Sequence, residues 1–284
     1  KKRGEVVDEK TLFQAASLSK SIGTTFCLEY FRKNNISLEV KVNDLLKEHG
    51  SSFRLKSSND LDQNYGDQVR LNHLMSHTAL NLHYVNGVES DECLPPLKEL
   101  VFGNESLGYQ PVAVISKPGE SFNYSGAGFI VLQYLMELIL GDDLEKEILG
   151  FCKKLGMENT IFFPNLKVTK NHASGHLESN PIKGDFKIFP AFAAGVMCTT
   201  NAMHNYLIQL GESYKSPQNN ALAISHDVAV EQLYGVDFGS IDFMSAMMGQ
   251  GIFIIEAGDN KFMLHQGAND GFRAIFLHCF DFWN

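Results

Sequence analysis

The sequence lacks several patterns by which common enzymes and metalloproteins are recognised. It contains no Cys-x-x-Cys, no His-Glu-x-x-His and no Gly-x-Ser-x-Gly, which disfavours a zinc site, a redox dithiol and a Ser-His-Asp hydrolase. Without a metal motif, His73, His77 and His83 are better explained as helix-end and loop histidines than as ligands. The five cysteines are odd in number and far apart, so we expect buried free thiols. They are Cys27, Cys93, Cys152, Cys198 and Cys279.

Positive charge and long apolar runs are also scarce. The formal net charge is −9 and arginine is rare, so the chain offers no concentrated basic face for nucleic acid. The longest apolar run, residues 129–140, contains Gln133 and Glu137 and is too short to span a bilayer. It predicts an amphipathic core helix and no transmembrane segment. Residues 1–10 have no apolar stretch typical of a signal peptide.

What is present suits a folded, soluble protein. The chain has 284 residues, of which 44% are hydrophobic and 20% are charged, and it is long enough to bury a large core. We find no internal repeat, low-complexity tract or linker. The sequence therefore predicts one large domain or two lobes that share a core.

The stretch 13–23 holds the first candidate for catalysis. Ser17 is the only serine with a lysine, Lys20, three positions later, and on a helix this spacing places the hydroxyl and the amine on one face. A serine hydroxyl needs a nearby base to act as a nucleophile at neutral pH, and a desolvated lysine can supply it. Alone, the motif also fits a helix start with a surface lysine. Its small apolar neighbours favour a buried turn that leads into a core helix ending near Arg32.

Local patterns also predict several helix ends and strands. Asn43 and Asn72 are each placed to cap a short helix, and Thr200 or Asn201 to cap a helix through Leu210. Near the end of the chain, three strand-like runs are separated by turn residues, which predicts an antiparallel meander. The runs are residues 251–256, 261–267 and 272–280.

Three separated motifs occur in an order that resembles the serine β-lactamase and penicillin-binding protein superfamily. They are Ser17-x-x-Lys20, Tyr124-Ser125-Gly126 and His265-Gln266-Gly267. The sequence is most similar to the class C β-lactamase branch, which includes D-Ala-D-Ala carboxypeptidases and related esterases. Further segments extend the resemblance over most of the chain, at residues 11–20, 74–78, 118–126, 155–160 and 194–200.

The resemblance implies an α+β fold with two lobes. An antiparallel sheet flanked by helices and a mostly helical lobe would enclose the active site. Residues 1–284 would form a single catalytic domain, with the sheet lobe from both chain ends and the helical lobe from roughly residues 41–239. Relatives have further strands and a helix at the ends, and a sheet without them has an unpaired edge. We therefore expect segments to be missing at both ends, and the family implies a periplasmic or secreted location.

The same resemblance implies a role for each motif residue. Ser17 would be the acylated nucleophile, Lys20 its hydrogen-bonded amine, and Tyr124 the phenol that moves protons together with Lys20. His265 would line the site from a strand, and the backbone N–H groups of Ser17 and Ala268 would form the oxyanion hole. Substrate contacts would come from Gly126, Gln266 and Gly267. No metal or organic cofactor is needed for this chemistry.

Two motif positions depart from the family pattern. Gly126 replaces an asparagine that contacts the substrate amide, and His265 replaces a lysine. An imidazole with an ordinary pKa near 6.5 is only partly charged at neutral pH, so it would attract a substrate carboxylate less strongly. Both changes favour an esterase or peptidase over a potent β-lactamase. Arg273 would either assist an anionic substrate or form a salt bridge on its strand.

The sequence leaves the substrate and two other functions open. A hydrolase of this family would act on a β-lactam, an ester or a D-Ala-D-Ala-type stem peptide of peptidoglycan. A catalytically silent binding or scaffold protein would keep the fold without turnover, and a peptidoglycan-binding module would hold stem peptides without cleaving them. Taken alone, Tyr124 also fits a packing tyrosine and His265 a strand-surface histidine. These patterns do not determine the oligomeric state.

Overall fold

The computed structural model describes residues 6–58, 61–163, 171–218, 222–239, 241 and 244–281. Its helices are α1 Ser19–Lys33, α2 Val42–Glu48, α3 Leu71–Met75, α4 Leu97–Phe102, α5 Ala127–Leu140, α6 Leu144–Lys154, α7 Thr200–Lys215 and α8 His226–Leu233. Its strands are β1 Phe13–Gln14, β2 Val88–Glu89, β3 Thr160–Ile161, β4 His176–Leu177, β5 Asn180–Pro181, β6 Lys187–Ile188, β7 Met197–Cys198, β8 Met247–Met248, β9 Phe253–Ala257, β10 Asn260–Asn269 and β11 Phe272–Asp281. Helices and small antiparallel sheets together give the predicted α+β composition.

The largest sheet comes from the last part of the chain, with strand order β11-β10-β9-β8. β10 pairs with β11 along its length, with His265 opposite Phe276, whereas only residues 260–264 of β10 pair with β9. Gly258 and Gly271 in the turns adopt positive φ, which glycine accepts at little steric cost. The predicted antiparallel meander is confirmed, and the second half of β10 is left free to contact another element.

Helix α1 is buried on nearly all sides, its polar residues included. Ser21 Oγ donates to the carbonyl of Gly251 at 2.7 Å, and Thr25 Oγ1 donates to Gln232 Oε1 at 2.7 Å. These two hydroxyls have partners, so burying them leaves neither unpaired, whereas the buried Oγ1 of Thr24 has no hydrogen-bond partner among the described residues. The two bonds fix α1 to the segment before β9 and to helix α8.

One hydrophobic core joins the helices to the largest sheet. Ile22 of α1, Leu132 of α5 and Tyr206 of α7 belong to the same cluster of buried side chains as Met263 of β10 and Phe280 of β11. Protein interiors are close-packed, so a shared core holds its elements in fixed relative positions. Helix α1 and strand β10, which carry two of the three motifs, are thereby held against each other.

The predicted helix caps are wrong. Asn43 is buried inside α2, where its Nδ2 donates to the carbonyl of Leu55 at 3.0 Å. Asn72 lies inside α3 and donates to Glu39 at 2.9 Å. Helix α7 is capped by Thr199, one residue earlier than predicted, and continues to residue 215. Both asparagines use partners that are distant in sequence, which a local capping pattern does not contain.

The cysteines are free thiols. Cys27, Cys152 and Cys198 are buried as predicted, and burial raises the pKa of Cys198 to about 12, so this thiol stays protonated and unreactive. Cys93 is exposed, which the prediction of buried thiols did not include.

Candidate active site

Ser17 lies in a single 3-10 turn, Ala16–Leu18, immediately before α1. The turn is strained, because buried Ala16 has φ +49°, a conformation that costs a residue with a Cβ about 1–3 kcal/mol. Ser19 Oγ donates to the carbonyl of Ala16 at 2.5 Å and accepts from the N–H of Val196 at 3.1 Å. These bonds hold the turn in place and leave Ser17 half-buried at the wall of a cavity.

Lys20 lies next to Ser17, as the spacing of the motif predicts. Its Nζ donates to Ser17 Oγ at 3.1 Å and to the carbonyl of Ala193 at 2.6 Å. The side chain is only 2% exposed, and burial lowers the pKa of the amine from 10.5 to about 7 because the interior disfavours its charged form. The site therefore contains an amine that is partly unprotonated at neutral pH.

A π-helical turn, Ala191–Gly195, supplies the carbonyl that binds Lys20. Two side chains hold this turn. Gln133 Oε1 of α5 accepts from the N–H of Phe192 at 3.1 Å, and Asn269 Nδ2 at the end of β10 donates to the carbonyl of Ala194 at 3.0 Å. Such irregular turns are frequent at functional sites, and here the turn connects α5, β10 and the lysine.

Tyr124 precedes α5 and reaches Ser17 from the other side. Its phenol interacts with the Ser17 side chain, and Lys20 Nζ lies 5.1 Å from the centre of its ring. Burial raises the pKa of the Tyr124 phenol above its ordinary value, and this effect outweighs the lowering by Ser17. The phenol is therefore protonated at neutral pH and can donate or relay a proton.

His265 is fully buried on β10 and its ring centre lies 6.3 Å from that of Tyr124. Its Nδ1 pairs at 2.7 Å with the carbonyl of Gln266, so Nδ1 carries the proton. Burial, and then the nearby charge of Lys20, lower the pKa of His265 to about 3. The sequence predicted an imidazole partly charged at neutral pH. That prediction is wrong, because the free histidine pKa does not include the cost of burial.

Gly267 is where β10 meets the Ser17 turn. A Cβ at this position would lie 2.6 Å from the carbonyl oxygen of Ala15 and 2.9 Å from the backbone nitrogen of Ser17, so only glycine permits the approach. Gln266 and Ala268 flank it and line the same cavity as Ser17. The two segments predicted to provide oxyanion-hole N–H groups are thus in contact.

Gly126 does not line this cavity, in contrast to the predicted substrate contact. It is buried, its N–H donates to the carbonyl of Leu82 at 2.7 Å, and a Cβ would lie 2.5 Å from Val85 Cγ1. The segment 82–85 therefore covers the position. Because Gly126 has no side chain, the segment 82–85 occupies the space that the asparagine of the family pattern would fill.

The cavity beside Ser17 has a volume of 680 Å³ and mainly apolar walls. Its lining includes Tyr84, Phe122, Phe253, Leu264 and Ile275. Of the described residues that line it, Arg273 is the only permanent cation, and its Nη1 donates to the carbonyls of Asn269 and Phe272. A neutral, largely apolar group matches these walls.

Several site residues were missed in the sequence. Phe253 and His77 pack on Tyr124, and His83 and Tyr84 line the cavity. The segment 74–78, which contains His77, was one of those that carried the family resemblance, and this was the only signal available for it. The loop 78–92 can be expected from the sequence to form part of the pocket wall, but which of its side chains line the cavity is set by tertiary contacts.

The described ranges contain no group of three or more His, Cys, Asp or Glu side chains arranged to hold a metal ion. Each helix in those ranges falls short of the length and apolar character that a bilayer-spanning segment needs.

One protein family matches this chain. The model of the Beta-lactamase family matches residues 1–279. A search of curated proteins gave no match.

Many solved structures resemble this fold at low sequence identity. An octameric penicillin-binding protein homologue from Pyrococcus abyssi matches with a TM-score of 0.68 and 18% identity, over 96% of this chain and 60% of that one. A class C β-lactamase in complex with cefoxitin matches with a TM-score of 0.65 and 16% identity, over 99% and 82%. A β-lactamase/D-alanine carboxypeptidase from Yersinia pestis matches with a TM-score of 0.63 and 19% identity, over 98% and 77%. The chain thus spans 60% of the length of the Pyrococcus abyssi protein, and these likenesses establish the fold alone.

Proposed function

The chain belongs to the β-lactamase family, and we propose that it is a serine hydrolase that forms an acyl-enzyme on Ser17. One observation carries the proposal. A buried amine with a pKa of about 7 lies 3.1 Å from the Ser17 hydroxyl, and the protonated Tyr124 phenol interacts with the same side chain. A nucleophile with a base and a proton donor in reach is the arrangement that covalent acyl transfer needs.

In the proposed reaction, Ser17 Oγ attacks the substrate carbonyl and its proton passes to the unprotonated amine of Lys20. The oxyanion of the tetrahedral intermediate is stabilised by the N–H groups of Ser17 and Ala268. The Tyr124 phenol donates its proton to the leaving group and is reprotonated from Lys20. Water then attacks the acyl-enzyme with the same groups in the reverse roles, which releases the acid and restores Ser17.

We propose an ester with an apolar acyl group as the preferred substrate, ahead of a β-lactam or a D-Ala-D-Ala-type peptide. The cavity walls are mainly apolar, and His265 is uncharged at neutral pH, so it cannot attract a carboxylate. Arg273 at the wall is already bonded to two carbonyls. An anionic substrate would gain little from either residue.

The experiment is mass spectrometry of the intact protein after incubation with a p-nitrophenyl ester of a medium-chain acid or with a penicillin. We expect an acyl adduct that maps to Ser17 and release of p-nitrophenol, both absent in Ser17→Ala. A panel with a chromogenic cephalosporin and a D-Ala-D-Ala peptide then ranks the substrates. If neither probe leaves an adduct and no ester is turned over, the proposal fails.

A catalytically silent binding protein is the second candidate. It is favoured by the segment 82–85, which covers Gly126, and by the absence of charge on His265. A silent protein would bind substrate analogues equally well with Ser17→Ala. Turnover by the wild type that disappears in Ser17→Ala would exclude it.

A further inference from the structure

His77 is a buried histidine that the chemistry above does not use. It follows α3, is 1% exposed and has φ +58°, a left-handed conformation that few residues other than glycine adopt, although histidine, like asparagine and aspartate, is enriched among them. Its Nε2 is buried with no hydrogen-bond partner among the described residues. A strained backbone and an unpaired polar atom both disfavour the folded state, so their presence calls for an explanation from function.

His77 bonds to both chain neighbours of Tyr124. Its Nδ1 accepts from the N–H of Ser125 at 2.9 Å, and its carbonyl accepts from the N–H of Asn123 at 2.7 Å. Because Nδ1 accepts, the ring proton is on Nε2 and the imidazole is neutral. Burial, followed by the charge of Lys20, lowers the pKa of His77 and keeps it neutral.

The imidazole of His77 also stacks on the Tyr124 ring. The two ring centres are 4.4 Å apart with planes 24° apart, and Phe253 lies nearly parallel to the same phenol, with centres 6.4 Å apart. Stacking and the two backbone bonds together fix both the position and the plane of the phenol. A phenol held in one orientation keeps its hydroxyl at Ser17, and small displacements of reacting groups have large effects on rate.

We propose that His77 is a positioning residue that holds the Tyr124 hydroxyl against Ser17, an inference that rests on the proposed serine-hydrolase function. It acts through Tyr124 and exchanges no proton with the substrate. The histidine lies in the segment Leu74-Met75-Ser76-His77-Thr78, more than forty positions before the tyrosine it orients.

The test compares His77→Asn with the wild type and with His73→Asn. Asparagine tolerates positive φ and keeps an acceptor for the Ser125 N–H, so the variant is expected to fold while it loses the stack. His73 is the matched control, since its Nδ1 also accepts a backbone N–H, that of Arg70 at 3.1 Å. For His77→Asn we expect the kcat for a p-nitrophenyl ester to fall about 10- to 100-fold with KM changed less than about 3-fold. His73→Asn should keep the wild-type kcat.

A double-mutant cycle with Tyr124→Phe separates positioning from a general structural role. If His77 acts through the phenol, His77→Asn should cause little further loss once the hydroxyl is absent. A loss of the same size in both backgrounds would overturn the inference.

A readout that needs no turnover is nitration of tyrosines by tetranitromethane, mapped by peptide mass spectrometry. Tyr84, which is 74% exposed, serves as the internal reference. We expect Tyr124 to be protected in the wild type and in His73→Asn, and nitrated faster in His77→Asn. Faster nitration in a protein that turns over no ester would support the positioning role while removing the proposed function. Equal nitration of Tyr124 in the wild type and in His77→Asn would overturn the inference.

Discussion

At the scale of single residues, the site is defined by which side chains carry charge near neutral pH. Burial brings the pKa of Lys20 to about 7, whereas the pKa of His265 falls to about 3 and that of Tyr124 rises. Of these three groups, only the lysine changes its protonation between pH 6 and 8. The same desolvation acts on each, and the sign differs because the charged form is the protonated one in lysine and histidine and the deprotonated one in tyrosine.

The first prediction concerns the pH dependence of ester hydrolysis. Lys20 must be unprotonated to accept the proton of Ser17, so kcat/KM should be low below its pKa and rise with pH, with an apparent pKa near 7. A profile between pH 5.5 and 9 measures it. In His265→Gln the inflection should stay at the same pH even if the rate changes, because His265 titrates far below this window. An inflection that disappears in that variant would assign the titration to the histidine.

The second prediction concerns the stability cost of the buried lysine. The folded-state pKa of about 7 lies below the ordinary value of 10.5, so the unfolded chain binds more protons between these values and stability rises with pH across them. Below pH 7 the full cost of burying the charge is present. Lys20→Met should therefore abolish turnover and raise the free energy of unfolding at pH 6 by about 1–3 kcal/mol.

This gain should shrink as the pH rises towards 10.5. Urea unfolding at pH 6 and pH 9 measures it. Lys146→Met is the control, since Lys146 is exposed on α6 and its pair with Asp143 has a distance of 3.7 Å. The same stability gain at both pH values would contradict the conclusion that the cost comes from burying the charge of Lys20.

At the scale of elements, the site depends on the contact between β10 and the turn before α1. Gly267 brings the strand backbone within van der Waals range of Ala15 and Ser17. The π-helical turn, Ala191–Gly195, connects to the same strand through Asn269 and to α5 through Gln133. Each connection is made by backbone groups or buried amides. A small change in one of these side chains therefore alters the positions of the groups around Ser17.

The third prediction is for Gly267→Ala. The added methyl would meet backbone atoms at 2.6 and 2.9 Å, so β10 and the Ser17 turn must separate. We expect a loss of about 1–3 kcal/mol in unfolding free energy and of about 100-fold in kcat/KM. Gly150→Ala is the matched control, since a Cβ there meets nothing within 4 Å in helix α6. It should stabilise the protein by about 0.5–1 kcal/mol with no change in turnover, and similar effects of the two substitutions would contradict the packing argument.

The fourth prediction is for Gln133→Leu. This change leaves the buried N–H of Phe192 without its acceptor, which costs about 1–3 kcal/mol in unfolding free energy. It also loosens the turn that presents the carbonyl of Ala193 to Lys20, so kcat should fall. Gln209→Leu removes a comparable acceptor, that of the Ala223 N–H at 3.1 Å, from the surface helix α7. Denaturation measures the loss of unfolding free energy and ester assays measure kcat. We expect kcat to fall in Gln133→Leu and to stay unchanged in Gln209→Leu.

At the scale of the whole molecule, the helices and the largest sheet share one core. The main cluster of buried side chains extends from Ala15 to Phe280 and includes residues of both sets of elements, beside two smaller clusters, one of which, Ala246, Ile255 and Leu264, lies on the sheet. The site lies where these elements meet, with Ser17 in the turn before α1, Lys20 in the first turn of α1, Tyr124 before α5 and His265 on β10.

The fifth prediction follows from this shared core. Unfolding should be a single cooperative transition, in which far-ultraviolet circular dichroism and tyrosine fluorescence give the same midpoint. Acylation of Ser17 should raise that midpoint in the wild type and leave it unchanged in Ser17→Ala, because the covalently held acyl group is buried against the apolar cavity walls only in the folded state. Two separated midpoints would show that the sheet and the helices unfold independently.

Features that depend on neighbouring residues could be predicted from the sequence. The spacing of Ser17 and Lys20 placed the amine beside the hydroxyl, because three positions span about one helical turn. Alternating apolar residues and turn-forming residues determined the meander of β9, β10 and β11, because side chains of a strand alternate between its faces.

The remaining features follow from how distant parts of the chain pack together. The fold covers Gly126 with the segment 82–85, removes the charge of His265 and stacks His77 on Tyr124. It also gave Asn43 a buried partner in place of a helix cap. Each of these outcomes depends on desolvation or on contacts between residues far apart in the chain, and neither quantity is contained in local spacing or in the ordinary pKa of a side chain.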